Sequence, residues 1–220
     1  MIDIHTHIVP FVDDGSKSLE DSIEMVKRDI SFGVKTIIAT PHHIRHRYEK
    51  SVEELKEYFN LLNDKVKELG LDVNLILGQE ICFSSRENII EKLNNKELLT
   101  LGDSNYILLE FSFDHEPEDL SEVLYSIRSN NYEIIVAHVE RYNWITLDKV
   151  YEMRAEGAYI QVNANAICGL TSGKEKRFVK KLLKKGLVDI VASDMHSFRP
   201  SNLDKALAKT KNPDLFEFDF

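Results

Sequence analysis

His5, His7, Asp14, His42, Glu80, Glu110, His138, Asp194 and His196 are five imidazoles and four carboxylates spread over almost the whole chain, at or near the ends of apolar, strand-like runs. Such a donor set, free of thiolates, suits borderline-to-hard cations such as Mn, Fe or Zn. No stretch gathers the nine locally, so they can form one site only in a fold that brings the ends of successive strands together. His5 and His7 stand two apart, a spacing that puts both on one face of a strand. Asp194-Met195-His196 repeats that spacing with a carboxylate after the apolar run from Val188 to Ala192, and Thr40-Pro41-His42 ends the second run. Glu80 and Glu110 each interrupt or end an apolar run, where an unpaired buried carboxylate is costly and a cation is the simplest compensation. Asp14 lies in the loop after the first run.

The ligand number suggests three divalent ions. These would outweigh four carboxylates, leave positive charge for an incoming anion and activate water at neutral pH. A phosphate ester fits that charge. Arg141, three residues past His138, and Arg199, three past His196, could close planar forks on phosphate oxygens. Of the two, Arg141 is favoured, because Glu140-Arg141-Tyr142 directly follows a ligand-bearing run. The basic loop Arg45-His46-Arg47-Tyr48 reads equally as a guide for anionic substrates and as solvated surface. Asn163 is expected either to face the site as a hydrogen bonder or to cap its strand. His43 and His115 read as bystanders, and Met153 and Trp144 as packing residues.

Short runs rich in β-branched residues alternate with longer amphipathic segments, the pattern of a parallel sheet covered by helices. Strands are expected at Ile2 to His7, Val34 to Thr40, Val73 to Ile81, Tyr106 to Phe111, Ile134 to Val139, Ala158 to Asn163 and Val188 to Asp194. The clearest helices are Ser18 to Phe32, Val52 to Leu69, Glu118 to Ser129 and Lys174 to Lys185, with shorter candidates around Glu87 to Leu93, Leu147 to Ala155 and Leu203 to Ala208. Ser18 with Asp21 resembles a capping box, and Gly33, Gly70 and Gly186 fit helix ends. In a (β/α) barrel the loops after every strand converge on one face, whereas an open doubly wound sheet places ligands at one crevice. Ligands from strands one to five and seven favour an α/β, distorted (β/α)7 TIM-like barrel with a metal site at the C-terminal ends of its strands.

The chain of 220 residues, read as one domain over 1–220, carries no linker, low-complexity tract or repeat. A formal charge of -9 speaks against binding nucleic acid backbones. Met1 leads straight into Ile2-Asp3-Ile4-His5, without signal-peptide or membrane-span character, so no membrane insertion is expected. Cys82 and Cys168 are too few for a disulfide framework and suggest a reducing, cytoplasmic setting.

Asp3-Ile4-His5-Thr6-His7-Ile8-Val9-Pro10 followed by Asp13-Asp14-Gly15 resembles the PHP (polymerase and histidinol phosphatase) superfamily. With Ala39-Thr40-Pro41-His42-His43, Gly78-Gln79-Glu80, Leu109-Glu110 and Ala192-Ser193-Asp194-Met195-His196, the chain is similar to the bacterial manganese-dependent tyrosine-protein phosphatases of the CpsB/CapC type. The resemblance implies the PHP fold and a trinuclear, Mn2+-loaded centre held by the nine residues above, with Glu80 as bridge. It also implies that Arg141 and Arg199 hold the phosphate. The implied substrate is phosphotyrosine on a bacterial tyrosine kinase that controls capsular or exopolysaccharide synthesis.

Two other readings stand beside this one: a phosphatase for a small metabolite such as histidinol phosphate, and a non-catalytic, metal-stabilised interaction domain. A cysteine-based phosphatase is disfavoured, since it needs an Arg six positions after the nucleophile. Asn88 and Lys174 occupy those positions after Cys82 and Cys168.

Overall fold

The computed structural model describes residues 1–218, and its parallel strands follow one another in chain order round a circuit. β1 (Ile2–Thr6) pairs with β2 (Thr36–Ala39), and β2 with β4 (Asn74–Leu77). β3 (His42–His43) and β5 (Glu80–Cys82) continue β2 and β4 after breaks at Thr40-Pro41 and Gly78-Gln79. From β3 and β5 the ladder passes to β6 (Tyr106–Glu110), β7 (Glu133–Val136), β8 (Tyr159–Asn163) and β9 (Ile190–Ala192). The seventh strand position meets the first through a parallel bridge of Thr6 with Met195. There Asp194 N donates to His5 O, and His7 N to Met195 O, each at 2.9 Å. This is the expected α/β, distorted (β/α)7 arrangement. Two of the seven expected strands each divide in two: at the first break a proline lacks the ladder donor, and at the second Gly78 leaves the room that Leu101 takes.

The helices that cover the strands are α1 (Leu19–Ser31), α2 (Val52–Glu68), α3 (Ile89–Asn94), α4 (Leu120–Ser129), α5 (Leu147–Ala155), α6 (Ala164–Cys168), α7 (Gly173–Lys185) and α8 (Leu203–Thr210). Ser18 caps α1 by accepting from Asp21 N at 3.1 Å, while the Asp21 carboxylate takes Lys17 N rather than Ser18 N. The complete capping box belongs to Ser51 and Glu54 on α2. Sequence reading missed α6, whose five residues are too few to show a helical period.

One face of each strand fills the barrel interior. Ile2, Ile4, Ile38, Leu108, Ile135, Ala137, Ile190 and Ala192 form a buried cluster with Leu101, flanked by Ile76, Tyr106 and Tyr159. The period of two then carries five strand positions from this apolar floor to the polar rim in one phase, across the two breaks as well: 38-40-42, 76-78-80, 106-108-110, 159-161-163 and 190-192-194. Two strands change phase instead. Between Asp3 and Thr6 the register of β1 slips, so the inward series passes from Ile2 and Ile4 to His5 and His7. After β7, His138 adopts φ 29, ψ 56, and the series passes from Ala137 to His138. A bulge and a left-handed residue are the two backbone devices that re-aim a side chain in this way.

Ahead of the slip, between inward Ile2 and Ile4, Asp3 is buried on the outer face, where its Oδ1 accepts from Ser193 N at 3.0 Å and ties β1 to the last strand. It faces Asp29 of α1, whose two carboxyl oxygens are buried without partners. Burial, with the Asp3 charge beside it, pushes the Asp29 carboxyl well above the usual carboxylate range. A carboxyl raised on folding favours the folded state most below its unfolded pKa, and this contribution is lost as pH rises through the folded value. Asp29→Asn should therefore melt higher than the parent by a margin larger at pH 8 than at pH 5, at about 2–4 °C for each kcal/mol recovered. A margin that is the same at both pH values in thermal melts would sink this account.

Candidate metal centre

All nine residues singled out for their chemistry converge above the apolar floor, although they arrive from seven separate segments. Four overlapping groups hold ligand atoms within 4.8 Å of one another: His7, Asp14, His42 and His196; His5, Glu80 and His138; His5, His7 and Asp194; and His42, Glu80 and Glu110. Glu80 sits in two of them. Its Oε2 lies 2.8 Å from His42 Nδ1, 3.2 Å from His5 Nε2 and 3.3 Å from His7 Nε2, while Oε1 lies 2.9 Å from His138 Nε2. Asp14 reaches His42 at 3.5 Å and His196 at 3.6 Å, so the loop residue joins the same centre.

The outer nitrogens of three imidazoles settle what the inner ones offer. His5 Nδ1 faces Gln161 Oε1 at 3.2 Å, His7 Nδ1 faces Asp13 Oδ2 at 2.8 Å, and His196 Nδ1 faces the Asp194 carbonyl at 3.0 Å. Each partner only accepts, so in the neutral ring the proton sits on Nδ1 and the Nε2 lone pair points inward. His5 Nε2 and His7 Nε2 stand 3.2 Å apart, lone pair towards lone pair. Asp14 Oδ1, His42 Nδ1 and Glu80 Oε2 are likewise buried without a hydrogen-bond partner. Electron pairs that converge with no proton between them fit a set of divalent cations, and the outer hydrogen bonds are those that orient metal-binding imidazoles.

Without ions the set draws positive charge onto its own rings: against the opposing effect of burial, Glu80 raises His5 above the usual imidazole range and Asp13 raises His7 well above it. Burial opposes the charge on Glu80, but His5 and His42 around it hold its carboxyl well below the usual range. Glu110, buried beside Glu80, is pushed up to about 7. Burial and the Arg141 charge bring His138 down to about 4. Asp194 is depressed against its burial by His5, His138, Arg141 and Arg199. Both arginines reach its Oδ2, Arg141 Nη1 at 3.1 Å and Arg199 Nη1 closer still. Asp194 also takes φ 50, a second left-handed residue beside the centre.

β8 supplies no candidate ligand but holds the others in place. Gln161 Oε1 accepts from His138 N at 2.7 Å, Gln161 Nε2 donates to Asn163 Oδ1 at 2.9 Å, and Asn163 Nδ2 donates to Asp194 Oδ2 at 2.8 Å. Asn163 thus takes the site-facing role. Gln161 was not singled out by sequence reading, although an amide two positions before Asn163 in an apolar strand is the signal that could have found it. Tyr142 was also passed over: its hydroxyl donates to Ala137 O and accepts from Phe111 N, fastening the ends of β6 and β7. His43 pairs with Glu87 and faces away from the nine. Met153 is fully buried, and Trp144 stacks on Tyr142. Cys82 borders the mouth with its thiol pushed up to about 12, chiefly by burial, so it offers no thiolate.

Residues 1–212 match the family described as capsular polysaccharide synthesis, CpsB/CapC. The putative tyrosine-protein phosphatase CapC of Staphylococcus aureus is 37% identical over 201 residues, covering 90% of this chain and 77% of that protein. The tyrosine-protein phosphatase YwqE of Bacillus subtilis is 34% identical, covering 92% and 80%. A crystal structure from work on YwqE and on CpsB of Streptococcus pneumoniae, "unique metal-dependent tyrosine phosphatases", superposes with a TM-score of 0.89 at 32% identity, over 99% of this chain and 89% of that one. Histidinol phosphate phosphatase from Lactococcus lactis shares the fold, with a TM-score of 0.63 at 14% identity, over 98% of this chain and 94% of that one.

Asp13 holds the His7 side of the centre through three contacts. Besides His7 Nδ1, its carboxylate accepts from His42 N at 3.0 Å and from Gly15 N at 2.9 Å. Gly15 is required there, because a Cβ would lie 2.1 Å from His7 O. Asp13→Asn keeps the shape but weakens the hold on the His7 proton, and should cost about 10- to 100-fold in metal affinity, as loss of such supporting partners does. Competition with a chelator measures it; parental affinity would show that the Asp13 contact is incidental.

Proposed function

We propose that this chain, which belongs to the CpsB/CapC family of capsular polysaccharide synthesis, is a metal-dependent protein-tyrosine phosphatase, acting as a single unit over residues 1–220. The observation that carries the reading is the meeting of nine potential ligands and two guanidinium groups at one mouth. Arg141 and Arg199 border the same cavity of about 370 Å³ as Asp14, His42, Glu110 and His196. We assign His5, His7, Asp14, His42, Glu80, Glu110, His138, Asp194 and His196 to three divalent ions, Mn2+ first and Fe or Zn next, with Glu80 shared because two of the ligand groups contain it. When bound, such ions supply Lewis acidity and activated water to phosphoester hydrolysis.

The chain's own contribution is to receive the phosphoryl group. Asp194 Oδ2 holds both guanidinium groups at the rim, leaving their remaining N–H donors for an anion. Asn163 shares the same carboxylate oxygen, so the Arg141–Asp194–Arg199 arrangement is braced from β8. Phosphoryl oxygens gain charge as the ester bond breaks, and donors already in place stabilise that charge without reorganisation. A phenolate departs with a pKa near 10 and so makes modest demands on a proton donor.

The partner in this reading is a phosphotyrosine-bearing bacterial tyrosine kinase of capsule or exopolysaccharide synthesis, met in the cytoplasm. Unpaired Cys82 and Cys168 are in keeping with that compartment. Among the described residues no helix is long and apolar enough to cross a membrane. Hydrolysis of a phosphotyrosyl peptide, measured against histidinol phosphate in metal-reconstituted protein, separates this reading from a small-metabolite phosphatase. Turnover of neither would favour the interaction domain.

Chelation should abolish turnover, whereas Cys82→Ser with Cys168→Ser should keep most of it; loss of activity in that double variant at unchanged metal content would refute the thiol-independent assignment. Arg141→Ala should lower kcat by roughly 10²-fold, the scale for losing one preorganised donor, while elemental analysis finds the metals retained. Arg141→Lys should recover only part, because an ammonium cannot make the planar two-point contact. Parental kinetics in both variants would mean that the metals alone hold the phosphate.

A further inference from the structure

Each rim arginine lies against an aromatic ring, and sequence reading assigned a function to neither ring. Arg141 Cζ is 4.3 Å from the centre of the Phe113 ring, and Arg199 Cζ is 5.7 Å from that of Phe198. Each ring also touches an imidazole of the centre: Phe113 lies 5.8 Å from His138, and Phe198 lies 5.0 Å from His196. Both line the cavity that contains the two arginines. Phe198 occupies the turn closed by the His196–Arg199 bridge and is 65% exposed. A ring this exposed contributes little to the core, so its place beside the arginine calls for another explanation.

We infer that Phe113 and Phe198 form an aryl subsite, a pair of ring walls that receives the phenyl ring of a phosphate ester whose phosphoryl group is held by Arg141 and Arg199. The two guanidinium groups share one carboxylate oxygen, that of Asp194. An anion bridging them therefore has one ring on the Arg141 side and the other on the Arg199 side. The next group along the ester meets the exposed Phe198 ring and the part of Phe113 that Arg141 and Tyr142 leave uncovered. A phenyl ring gains offset or edge-on contact there, whereas a methyl or seryl group offers far less apolar area to either ring. This deepens the phosphatase reading and rests on it for the position of the phosphate: the metals and arginines act on any phosphoryl group, and the two rings select aromatic esters.

Calorimetric titration of metal-loaded protein with phenylphosphonate and methylphosphonate tests the subsite without turnover, since neither compound has an ester bond to hydrolyse. The parent should bind phenylphosphonate more tightly. Phe198→Ala should lower that affinity by about three- to tenfold, the scale of one aromatic contact, and lower methylphosphonate affinity much less. Phe198→Leu should fall between them, and kcat/KM for phenyl phosphate should drop mainly through KM. Equal losses for both phosphonates, or no loss for either, would overturn the aryl subsite. Loss of metal in Phe198→Ala would also overturn it, by giving Phe198 a role in placing His196. A phosphatase with normal turnover and no phenyl preference would strike down the subsite alone. A protein that keeps the preference but hydrolyses no phosphomonoester would strike down the phosphatase reading alone.

Discussion

Glu80 is a fully buried carboxylate ringed by imidazole nitrogens, and the top of the barrel is organised around the cost of that burial. An isolated anion in such a place would be strongly destabilising. Three histidines from the first two strand positions and a fourth from the β7 end approach its two oxygens. The outer nitrogens of His5 and His7 are tied down by Gln161 and Asp13, which fixes those two rings with Nε2 towards the carboxylate. Where these rings are neutral they present lone pairs to the carboxylate, a juxtaposition that cations among the ligands would offset. Distant strands must end at the same height for this to happen, which a circuit of parallel strands does and a single local motif cannot.

Much of this was readable because strand periodicity and chemistry coincide. In the series ending at His42, Glu80, Glu110 and Asp194, every second residue is apolar or small until the polar one appears at the rim, and on β8 the polar residues begin one step earlier, at Gln161. Counting by two therefore locates both the core and the site. At β1 and after β7 the same count gives the wrong face. Ile2 and Ile4 predict Thr6 inward, and Ile135 and Ala137 predict Val139, yet His5, His7 and His138 are the residues presented. Those histidines were found by residue type and not by phase. No composition rule announces a bulge, and a histidine in a left-handed conformation looks in sequence like any other histidine.

The supporting residues were harder to read for a related reason. Gln161, Asp13 and Tyr142 act through one outward nitrogen or one backbone group of another residue, and such contacts depend on three-dimensional placement. Gln161 joins His5 on the first strand position, His138 after β7 and Asn163 on its own strand, residues separated by as many as 156 positions. The ordinary turn pattern Asp13-Asp14-Gly15 conceals that Asp13 faces His7 while Asp14 faces His42 and His196. Adjacent carboxylates divide the work because the turn points them in different directions.

The fold thus contains two regions with different sources of stability. Below the rim, the inward residues from Ile2 to Ala192 are held by apolar burial, which acts whether or not an ion is present. At the rim, left-handed backbone at His138 and Asp194, four carboxylates and opposed lone pairs all oppose folding unless something offsets them. Ligands that bind only the folded state stabilise it in proportion to the logarithm of their concentration over Kd. Metal occupancy and rim stability are therefore one quantity, while the floor supplies the rigidity that keeps seven strand ends at the right height. Strain and charge are confined to the part of the molecule that cations can stabilise, so the same unfavourable groups that make the empty rim costly are those that make the loaded rim selective for them.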